Sequence, residues 1–433
     1  MIRLFRVYVP ASTFALFVFE AALVLSAFLF SAWLLLEVDP ADYFSNWQGP
    51  AGVLLVWVSI LLGLHFQSLY TQIRARSRLL LLQQLLMVAG VAFLLQALVS
   101  AVYPDLQMPL RVMLLGSFLS LAGILAGRLL FGAYVLPRVA GERWLLIGNS
   151  PLLDDIAGHL ERTPQAGIHV AGRFAELAAP DAAGLEDRIR DLRPNRIVVG
   201  FSSGPNWRLA QQLLELRFAG HAIEDAAEIY EKICNRVGLS GLNAARLLYE
   251  KEFEPGTRAL FFQSIGNRLL AAVVLIAVAP LLPLIAALVR LSSAGPVFEC
   301  EWREGLHGPF RLYRFRVDAG SRTGRLLART GLYALPEFVH VLRGQMSIVG
   351  PRPARPEFAR ELARLIPFYP HRLQVRPGIT GWSQIHMRHL PEPRDAMMEL
   401  EYDLHYIKYV SPTLDFLVVA QAIKGLLVWG GQP

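Results

Sequence analysis

Two short runs near the C-terminal end of the chain place an arginine between residues that fix the backbone. They are Gly350-Pro351-Arg352-Pro353 and Arg376-Pro377-Gly378-Ile379-Thr380-Gly381-Trp382. A guanidinium presents a planar fork of donors that meets a phosphate in bidentate fashion. The flanking prolines and glycines hold each arginine on a rigid turn. Both runs lie in an Arg-rich stretch that follows a proline-broken apolar segment, and together they predict a phosphate-handling module seated at a membrane. His371, His386, His389 and His405 show no metal-ligand spacing and are read as non-catalytic.

The elements that must carry these turns begin in an apolar chain. Of 433 residues, 54% are hydrophobic and 18% charged, and the mean hydropathy is +0.39. That excludes an ordinary soluble protein and leaves room for several domains. Apolar stretches near Ser12–Leu36, Gly52–Leu69, Leu79–Val102 and Leu110–Leu136 are each long enough to cross a hydrocarbon core about 30 Å thick, which needs roughly 20 residues. The first is too long for a signal-peptide core and is followed by three more.

Orientation follows from the loops. Arg3 and Arg6 precede the first stretch, Arg74, Arg76 and Arg78 follow the second, and Arg138 and Arg143 follow the fourth. The intervening loops carry Glu37, Asp39 and Asp42, and then Asp105. Basic loops stay in the cytoplasm, which puts the N-terminus and everything after Arg138 on that side. The two cysteines, Cys234 and Cys300, then lie in a reducing compartment and are read as packing residues. A net charge of +7 and a pI of about 9.5 call for anionic partners, and lipid headgroups and phosphates suit a membrane protein better than nucleic acid. The chain lacks an aromatic-interleaved basic face, and no nucleic-acid partner is expected.

After the fourth stretch, Trp144–Gly148, His169–Phe174 and Arg196–Gly200 read as strands, with helices over Leu152–Leu160 and Leu209–Phe218. This alternation predicts a parallel, doubly wound sheet. A dinucleotide site needs G-x-G-x-x-G after the first strand. Gly148-Asn149-Ser150-Pro151-Leu152-Leu153 keeps one glycine of the three, so no NAD is expected.

Leu269–Leu291 is apolar over a length that could span, but Pro280 and Pro283 interrupt it. Arginines flank both ends, Arg258 and Arg268 before and Arg290 and Arg303 after. If basic flanks mark the cytoplasm, both ends lie inside and the segment enters the membrane and returns.

At this point the chain resembles the bacterial sugar transferases, the monotopic polyprenyl-phosphate sugar-1-phosphate transferases (phosphoglycosyl transferases), in their large polytopic form. Asn267-Arg268-Leu269 opens the re-entrant segment and Gly295-Pro296-Val297-Phe298 closes it. Phe310-Arg311-Leu312-Tyr313-Arg314-Phe315-Arg316, Met346–Pro353, Arg376–Gln384 and Tyr402-Asp403-Leu404-His405-Tyr406-Ile407 follow in order. Glu224-Asp225-Ala226-Ala227 and Ile366–Tyr369 resemble the exopolysaccharide-associated branch.

The resemblance implies a membrane protein made of an α-helical transmembrane bundle plus α/β domains. Four transmembrane helices occupy 1–137, a Rossmann-like parallel-sheet domain 138–255, and an α/β transferase module 256–433 with a re-entrant hairpin over 268–291. It implies transfer of a sugar-1-phosphate from a nucleotide sugar to polyprenyl (undecaprenyl) phosphate, assisted by Mg²⁺, on the cytoplasmic face of a bacterial inner membrane. This reaction initiates exopolysaccharide or other surface-glycan assembly. Exopolysaccharide-assembly proteins or a second copy of the chain are the candidate protein partners, beside membrane lipids. Arg314 and Arg316 match the basic positions of the family's Y-K-F-R run, Pro351 and Arg352 its G-P-R-P, and Arg376 and Gly378 its R-P-G-[IL]-T-G. These are the expected substrate-binding residues.

The chain departs from the family where the chemistry is expected. The family's nucleophile and metal ligand are adjacent Asp-Glu in a run like S-L-D-E-L-P-Q, whereas this chain has Tyr333-Ala334 at the dyad of Gly331-Leu332-Tyr333-Ala334-Leu335-Pro336-Glu337. Alanine can neither bind metal nor move a proton, and a phenol with a pKa of about 10 is a poor nucleophile at neutral pH. The R-Q-E-R-V-G run reads Cys300-Glu301-Trp302-Arg303-Glu304-Gly305, and the loop after Arg316 is shortened around Asp318. Two carboxylates could stand in. Glu337 lies one turn from Tyr333 if the segment is helical, and Asp318 lies on the shortened loop. The alternative is a catalytically silent relative that binds substrate or scaffolds a working transferase. Phe358, Leu362, Leu365 and Ile366 predict an amphipathic helix, and Thr413–Val428, interrupted by Gln421 and Lys424, a buried or interfacial one.

Overall fold

The fold is a computed structural model. It describes residues 2–4, 7–9, 11–36, 47–67, 69–70, 78–104, 108–131, 141–163, 167–174, 187, 189–201, 207–242, 253, 255–292, 295–318, 320–387 and 393–429. The loop charges at Arg6, Glu37, Asp39, Asp42, Arg74, Arg76, Asp105 and Arg138, the boundary between 137 and 138, and His389 lie outside these residues.

A small antiparallel hairpin, β1 (Ile2–Leu4) and β2 (Val7–Val9), precedes four apolar helices. These are α1 (Ala11–Leu35), α2 (Gln48–Phe66), α3 (Arg78–Val102) and α4 (Leu110–Leu130). All four are long and apolar enough to cross a membrane, as is Leu260–Val278 further along. A chain of this kind is a membrane protein, because a helix satisfies its own backbone where water is absent. α1 packs along α4 and α2 along α3. Gly116, Gly123 and Gly127 of α4 face Phe28, Leu23 and Phe19 of α1, and a methyl at any of the three would overlap its partner side chain.

The bundle also buries charge. Arg128 Nε lies 2.6 Å from Glu20 Oε1, with the two side chains 2% and 0% exposed. Arg128 Nη2 donates to Glu20 Oε2 at 3.0 Å and Nη1 to the Leu69 carbonyl at 2.8 Å. One pair thus ties α1 to α4 and to the residues that follow α2.

The middle region is a four-stranded parallel sheet in the order β4-β3-β5-β6. Its strands are β3 (Glu142–Ile147), β4 (Ile168–Phe174), β5 (Arg196–Val199) and β6 (Ala222–Asp225), with helices α5 (Pro151–Arg162), α6 (Trp207–Phe218) and α7 (Ala226–Cys234). Trp144 and Leu146 enter a core with α5 and α7, while Leu145 and Ile147 enter one with α6. A strand covered on both faces accounts for the unbroken apolar run in the sequence. The expected strands and helices are all present. β6 is additional: it is a four-residue edge strand half made of acidic residues, too short and polar to announce itself.

The turn after β3 is tight. Gly148 has φ +122°, donates its amide to the Phe174 carbonyl at 2.8 Å, and touches Gly200 so closely that a side chain would overlap the Gly200 carbonyl. Ser150 donates its amide to Gly200 O at 3.1 Å. These two amides tie the turn to the ends of β4 and β5.

The last region opens with α8 (Thr257–Val278) and α9 (Leu281–Ser292), separated by a turn at Ala279-Pro280. Pro280 breaks the helix as expected. Pro283 falls in the first turn of α9, where the missing amide costs no helical hydrogen bond. α8 begins well before Arg268. There follow an antiparallel pair, β7 (Phe298–Arg303) with β8 (Phe310–Phe315), then α10 (Arg322–Thr330), a 3₁₀ turn (Leu332–Ala334) and α11 (Glu337–Leu342). β9 (Ser347–Val349) pairs in parallel with β10 (Gly378–Thr380) around α12 (Pro356–Leu365), and α13 (Trp382–His386), α14 (Pro393–Tyr409) and α15 (Pro412–Trp429) complete the chain.

Its core gathers Val341, Ile348, Val349, Leu362, Trp382, Leu400, Leu404 and Tyr406. The apolar face expected on α12 divides: Leu362 and Ile366 are core residues, while Phe358 and Leu365 are half exposed or more. α15 packs by Leu414 and Val418, and Lys424 donates to the His65 carbonyl of α2 at 2.8 Å.

Candidate functional site

The two arginine turns interlock through glycine. β9 and β10 run in parallel, and Gly378 donates its amide to the Pro351 carbonyl at 2.9 Å. A methyl on Gly378 would overlap the Gly350 amide and the Thr380 carbonyl, and one on Gly350 would overlap the Arg376 carbonyl. Pro351 and Gly378 therefore act in the structure as backbone of a two-loop junction, with no side chain reaching outward. Arg372, 3% exposed, fastens it from behind. Its Nη2 reaches the Arg352 carbonyl at 3.2 Å, Glu399 at 2.8 Å and Asp403 at 2.7 Å, and Asp403 accepts from Ser383 Oγ at 2.9 Å.

The expected arginines do not form one cluster. The backbones of the two turns meet where Gly350 touches the Arg376 carbonyl, but the two side chains keep different company. Arg352 lies with Arg314 and Arg303 around Glu337. Arg376 faces Arg268 instead. Arg316 keeps apart from both groups, with its guanidinium against Gly295 at the closing end of the apolar hairpin and its amide on the Val297 carbonyl. Asp318 is exposed and turns its carboxylate onto its own loop, accepting from the Gly320 amide at 3.0 Å.

Glu337 is the carboxylate that the fold brings to the dyad positions. The segment is a 3₁₀ turn followed by a short helix, not one continuous α-helix, yet Tyr333 and Glu337 still meet through Arg314. Arg314 Nε donates to Glu337 Oε1, and its guanidinium carbon stands 5.8 Å from the centre of the Tyr333 ring. Glu337 is 1% exposed, and among the described residues its Oε2 has no hydrogen-bond partner. Burial pushes its carboxyl up, opposed by Arg314, Arg303 and Arg352. Arg303 donates to the Pro353 carbonyl at 3.2 Å and to Glu301, which also pairs with Arg355 at 2.5 Å. Arg303 was not among the expected site residues, although it keeps the final arginine of the family's R-Q-E-R run. The resemblance held the signal.

This donor set does not fit a protein-held Mg²⁺. A hard cation needs several oxygen ligands, but Glu301 and Glu337 are both engaged by guanidiniums. Among the described residues no group of three His, Cys, Asp or Glu side chains converges. The free Glu337 oxygen is ringed by cations, which suits a phosphate beside it better than a metal.

Sequence comparison supplies the class. Residues 258–428 match the profile of the bacterial sugar transferase family. Among similar proteins is the UDP-N-acetylgalactosamine-undecaprenyl-phosphate N-acetylgalactosaminephosphotransferase of Aeromonas hydrophila, 35% identical over 38% of this chain and 44% of that protein. The UDP-glucose:undecaprenyl-phosphate glucose-1-phosphate transferase of Xanthomonas campestris pv. campestris is 28% identical over 66% of each chain. The uncharacterized sugar transferase EpsL of Bacillus subtilis (strain 168) is 34% identical over 34% of this chain and 77% of that protein. The chain spans less than two thirds of the length of the first two relatives. It belongs to the bacterial sugar transferase family.

Proposed function

We propose that the chain moves a sugar-1-phosphate from a nucleotide sugar onto undecaprenyl phosphate or a similar polyprenyl phosphate, and so starts a surface glycan such as an exopolysaccharide. The observation that carries this reading is the Glu337 carboxylate set among Arg303, Arg314 and Arg352. The diphosphate of the donor competes for Arg314 and draws it from Glu337. The freed carboxylate oxygen attacks the sugar-linked phosphorus. The phosphorus–oxygen bond to the nucleotide breaks, and a nucleoside monophosphate leaves with that oxygen. An oxygen of the lipid phosphate then attacks the same phosphorus, breaks its bond to Glu337 and restores the carboxylate. The arginines neutralise charge on the phosphoryl oxygens throughout. A Mg²⁺ ion brought in with the donor would supply further charge neutralisation.

The membrane supplies the meeting place. In this reading α1–α4 are four spans and the hairpin of α8 and α9 re-enters the cytoplasmic leaflet of the inner membrane. Arg268 precedes the end of α8 by roughly ten residues, about 15 Å of helix, which is half of a hydrocarbon core about 30 Å thick. Arg290 lies at a matching distance along α9, and the two arginines mark one headgroup layer. The basic loops favour cytoplasmic domains, divided at 137/138 and 255/256.

The test is sugar-phosphate transfer by the full chain in lipid nanodiscs, with polyprenyl phosphate, Mg²⁺ and a panel of UDP-sugars, beside Glu337→Gln and a Tyr333→Asp/Ala334→Glu double variant. Turnover by the native chain that Glu337→Gln abolishes supports the assignment. Turnover indifferent to Glu337→Gln removes Glu337 from the chemistry. A silent native chain beside an active double variant would mark a binding protein on an intact transferase scaffold.

A further inference from the structure

The separation of Arg376 from Arg314 and Arg352 leaves a second arginine pair to explain. A cavity of about 410 Å³ opens beside the first half of α8, lined by Phe261, Ser264, Asn267, Arg268, Ser347 and Arg376 among others. Arg376 Nη1 donates to Ser264 Oγ at 2.7 Å, and Asn267 Nδ2 donates to Ser347 Oγ at 2.6 Å. These contacts fasten the cavity's two walls, α8 and the start of β9 and β10. The guanidinium of Arg268 rests on Gly344, whose φ of +75° brings bare backbone against it. Among the described residues neither arginine has a carboxylate within ion-pair distance, and Arg376 Nε is buried without an acceptor.

Two guanidiniums facing one cavity repel each other. Burial and the charge of Arg268 both make the protonated state of Arg376 harder to hold. Three other guanidiniums that turn into the module are neutralised there: Arg372 by Glu399 and Asp403, Arg314 by Glu337, Arg303 by Glu301. Arg376, with its Nε buried and unpartnered among the described residues and exposed Arg268 at the cavity mouth, leaves a cationic pocket open to an anion from outside the chain. The surroundings say what kind. α8 continues past Arg268 with Leu269, Leu270, Val273 and Ile276 exposed, and Phe261 and Phe262 stand exposed a turn or two before it. A ligand here meets paired cations at one end and an apolar helix face at the other.

We infer that the Arg268–Arg376 cavity binds the phosphate headgroup of a membrane lipid, at a site separate from the Glu337 cluster. The inference rests on the proposed seating of the α8–α9 hairpin in the membrane, and it does not depend on catalysis by Glu337. Bidentate contact by two arginines, completed by the Ser264 hydroxyl and the Asn267 amide, suits a terminal phosphate. The lipid chain then runs along the exposed face of α8.

The full chain in phosphatidylcholine nanodiscs would be treated with phenylglyoxal, and modification of individual arginines read by peptide mass spectrometry. Exposed Arg325 serves as the internal control. Farnesyl phosphate or phosphatidic acid in the disc should slow modification of Arg268 and Arg376 together several-fold and leave Arg325 unchanged. Inorganic phosphate at the same concentration should protect far less. Arg268→Gln should abolish protection of Arg376. Leu306→Trp, which fills the cavity and keeps both charges, should do the same for both arginines. Protection should persist in Glu337→Gln. Equal protection by inorganic phosphate would overturn the lipid assignment, and protection lost in Glu337→Gln would overturn the separateness of the site. Unprotected arginines in every arm would overturn the site itself, even in a chain that transfers sugar phosphate. Protection in a chain that transfers nothing would uphold the site and count against the proposed reaction alone.

Discussion

The ammonium of Lys408, on α14, lies 3.1 Å from the carboxylate of Glu231, on α7, with the two side chains 6% and 5% exposed. This buried pair joins the middle sheet domain to the last domain. Beside it Glu401 accepts from Tyr230 Oη and the Leu239 amide, each at 3.0 Å, and lies 3.4 Å from Arg236. The contact is therefore built, and the middle domain is part of the platform on which α14 stands. Lys408→Met leaves Glu231 buried without its cation, which costs about 3–5 kcal/mol. Replacing both residues, in Glu231→Leu/Lys408→Met, should recover most of that loss. Chemical unfolding of the four proteins in detergent measures the coupling. A single variant as stable as the native chain would mean that the two charges are not held together.

Trp382 carries the same contact into the Arg376 turn. Its indole N–H donates to the Asn235 carbonyl at 2.9 Å, and its ring stacks on His405 at 5.6 Å. Trp382→Phe keeps the ring in place and loses the hydrogen bond, at about 1 kcal/mol. The same unfolding measurement reads it. Asn235 sits at φ +52°, a left-handed conformation that asparagine tolerates and a β-branched residue does not. Asn235→Val should therefore cost more than Trp382→Phe, although Asn235 Oδ1 has no hydrogen-bond partner among the described residues. The reverse order would show that the strain is absorbed locally.

The interlock of the two turns gives a sharper expectation. The atoms that a methyl on Gly378 would meet, the Gly350 amide and the Thr380 carbonyl, are backbone and cannot swing aside. Gly378→Ala must spread β9 from β10, at a cost of about 1–3 kcal/mol, and it displaces the arginine turns on both sides. Gly266→Ala, at an exposed helical site with nothing nearby, should be neutral or gain up to about 1 kcal/mol. Transfer activity and unfolding measured on both would separate crowding at the junction from a general intolerance of glycine replacement.

Much of this was legible in the sequence, and the limits are physical. Helix-length apolar runs and strands buried on both faces are dictated by composition, so α1–α4 and β3–β5 stand where periodicity put them. Pro280 broke its helix for a steric reason readable from one residue. What escaped depended on long-range placement. Glu20 and Arg128 are single charges in apolar runs, more than 100 residues apart, and only packing of α1 on α4 shows that they pair. The same holds for Arg376 and Arg268. The family motifs name Arg352 and Arg376 alike as substrate-binding residues, whereas side-chain placement sets Arg352 beside Glu337 and Arg376 beside Arg268. Helical spacing puts Glu337 one turn from Tyr333, but the segment is a 3₁₀ turn and a short helix, and what joins the two residues is Arg314 on a different element.

Arg372 sets up a pH dependence. One buried guanidinium serves two carboxylates, Glu399 and Asp403, so one negative charge is in excess. Burial pushes the Asp403 carboxyl up to about 7, against the pull of Arg372 and with Glu399 adding to the rise. An unfolded aspartate titrates near 3.9. The folded chain therefore holds a proton that the unfolded chain releases between about pH 4 and 7, so this group's contribution is complete below that window and is lost as pH rises through it. Asp403→Asn mimics the protonated acid at every pH. The stability of the native chain relative to Asp403→Asn should fall steadily from about pH 4 to 7 and then level off. Unfolding midpoints of both proteins across that range decide the matter. A native chain that gains on the variant as pH rises would mean that Asp403 is ionised throughout and that Arg372 alone governs its charge.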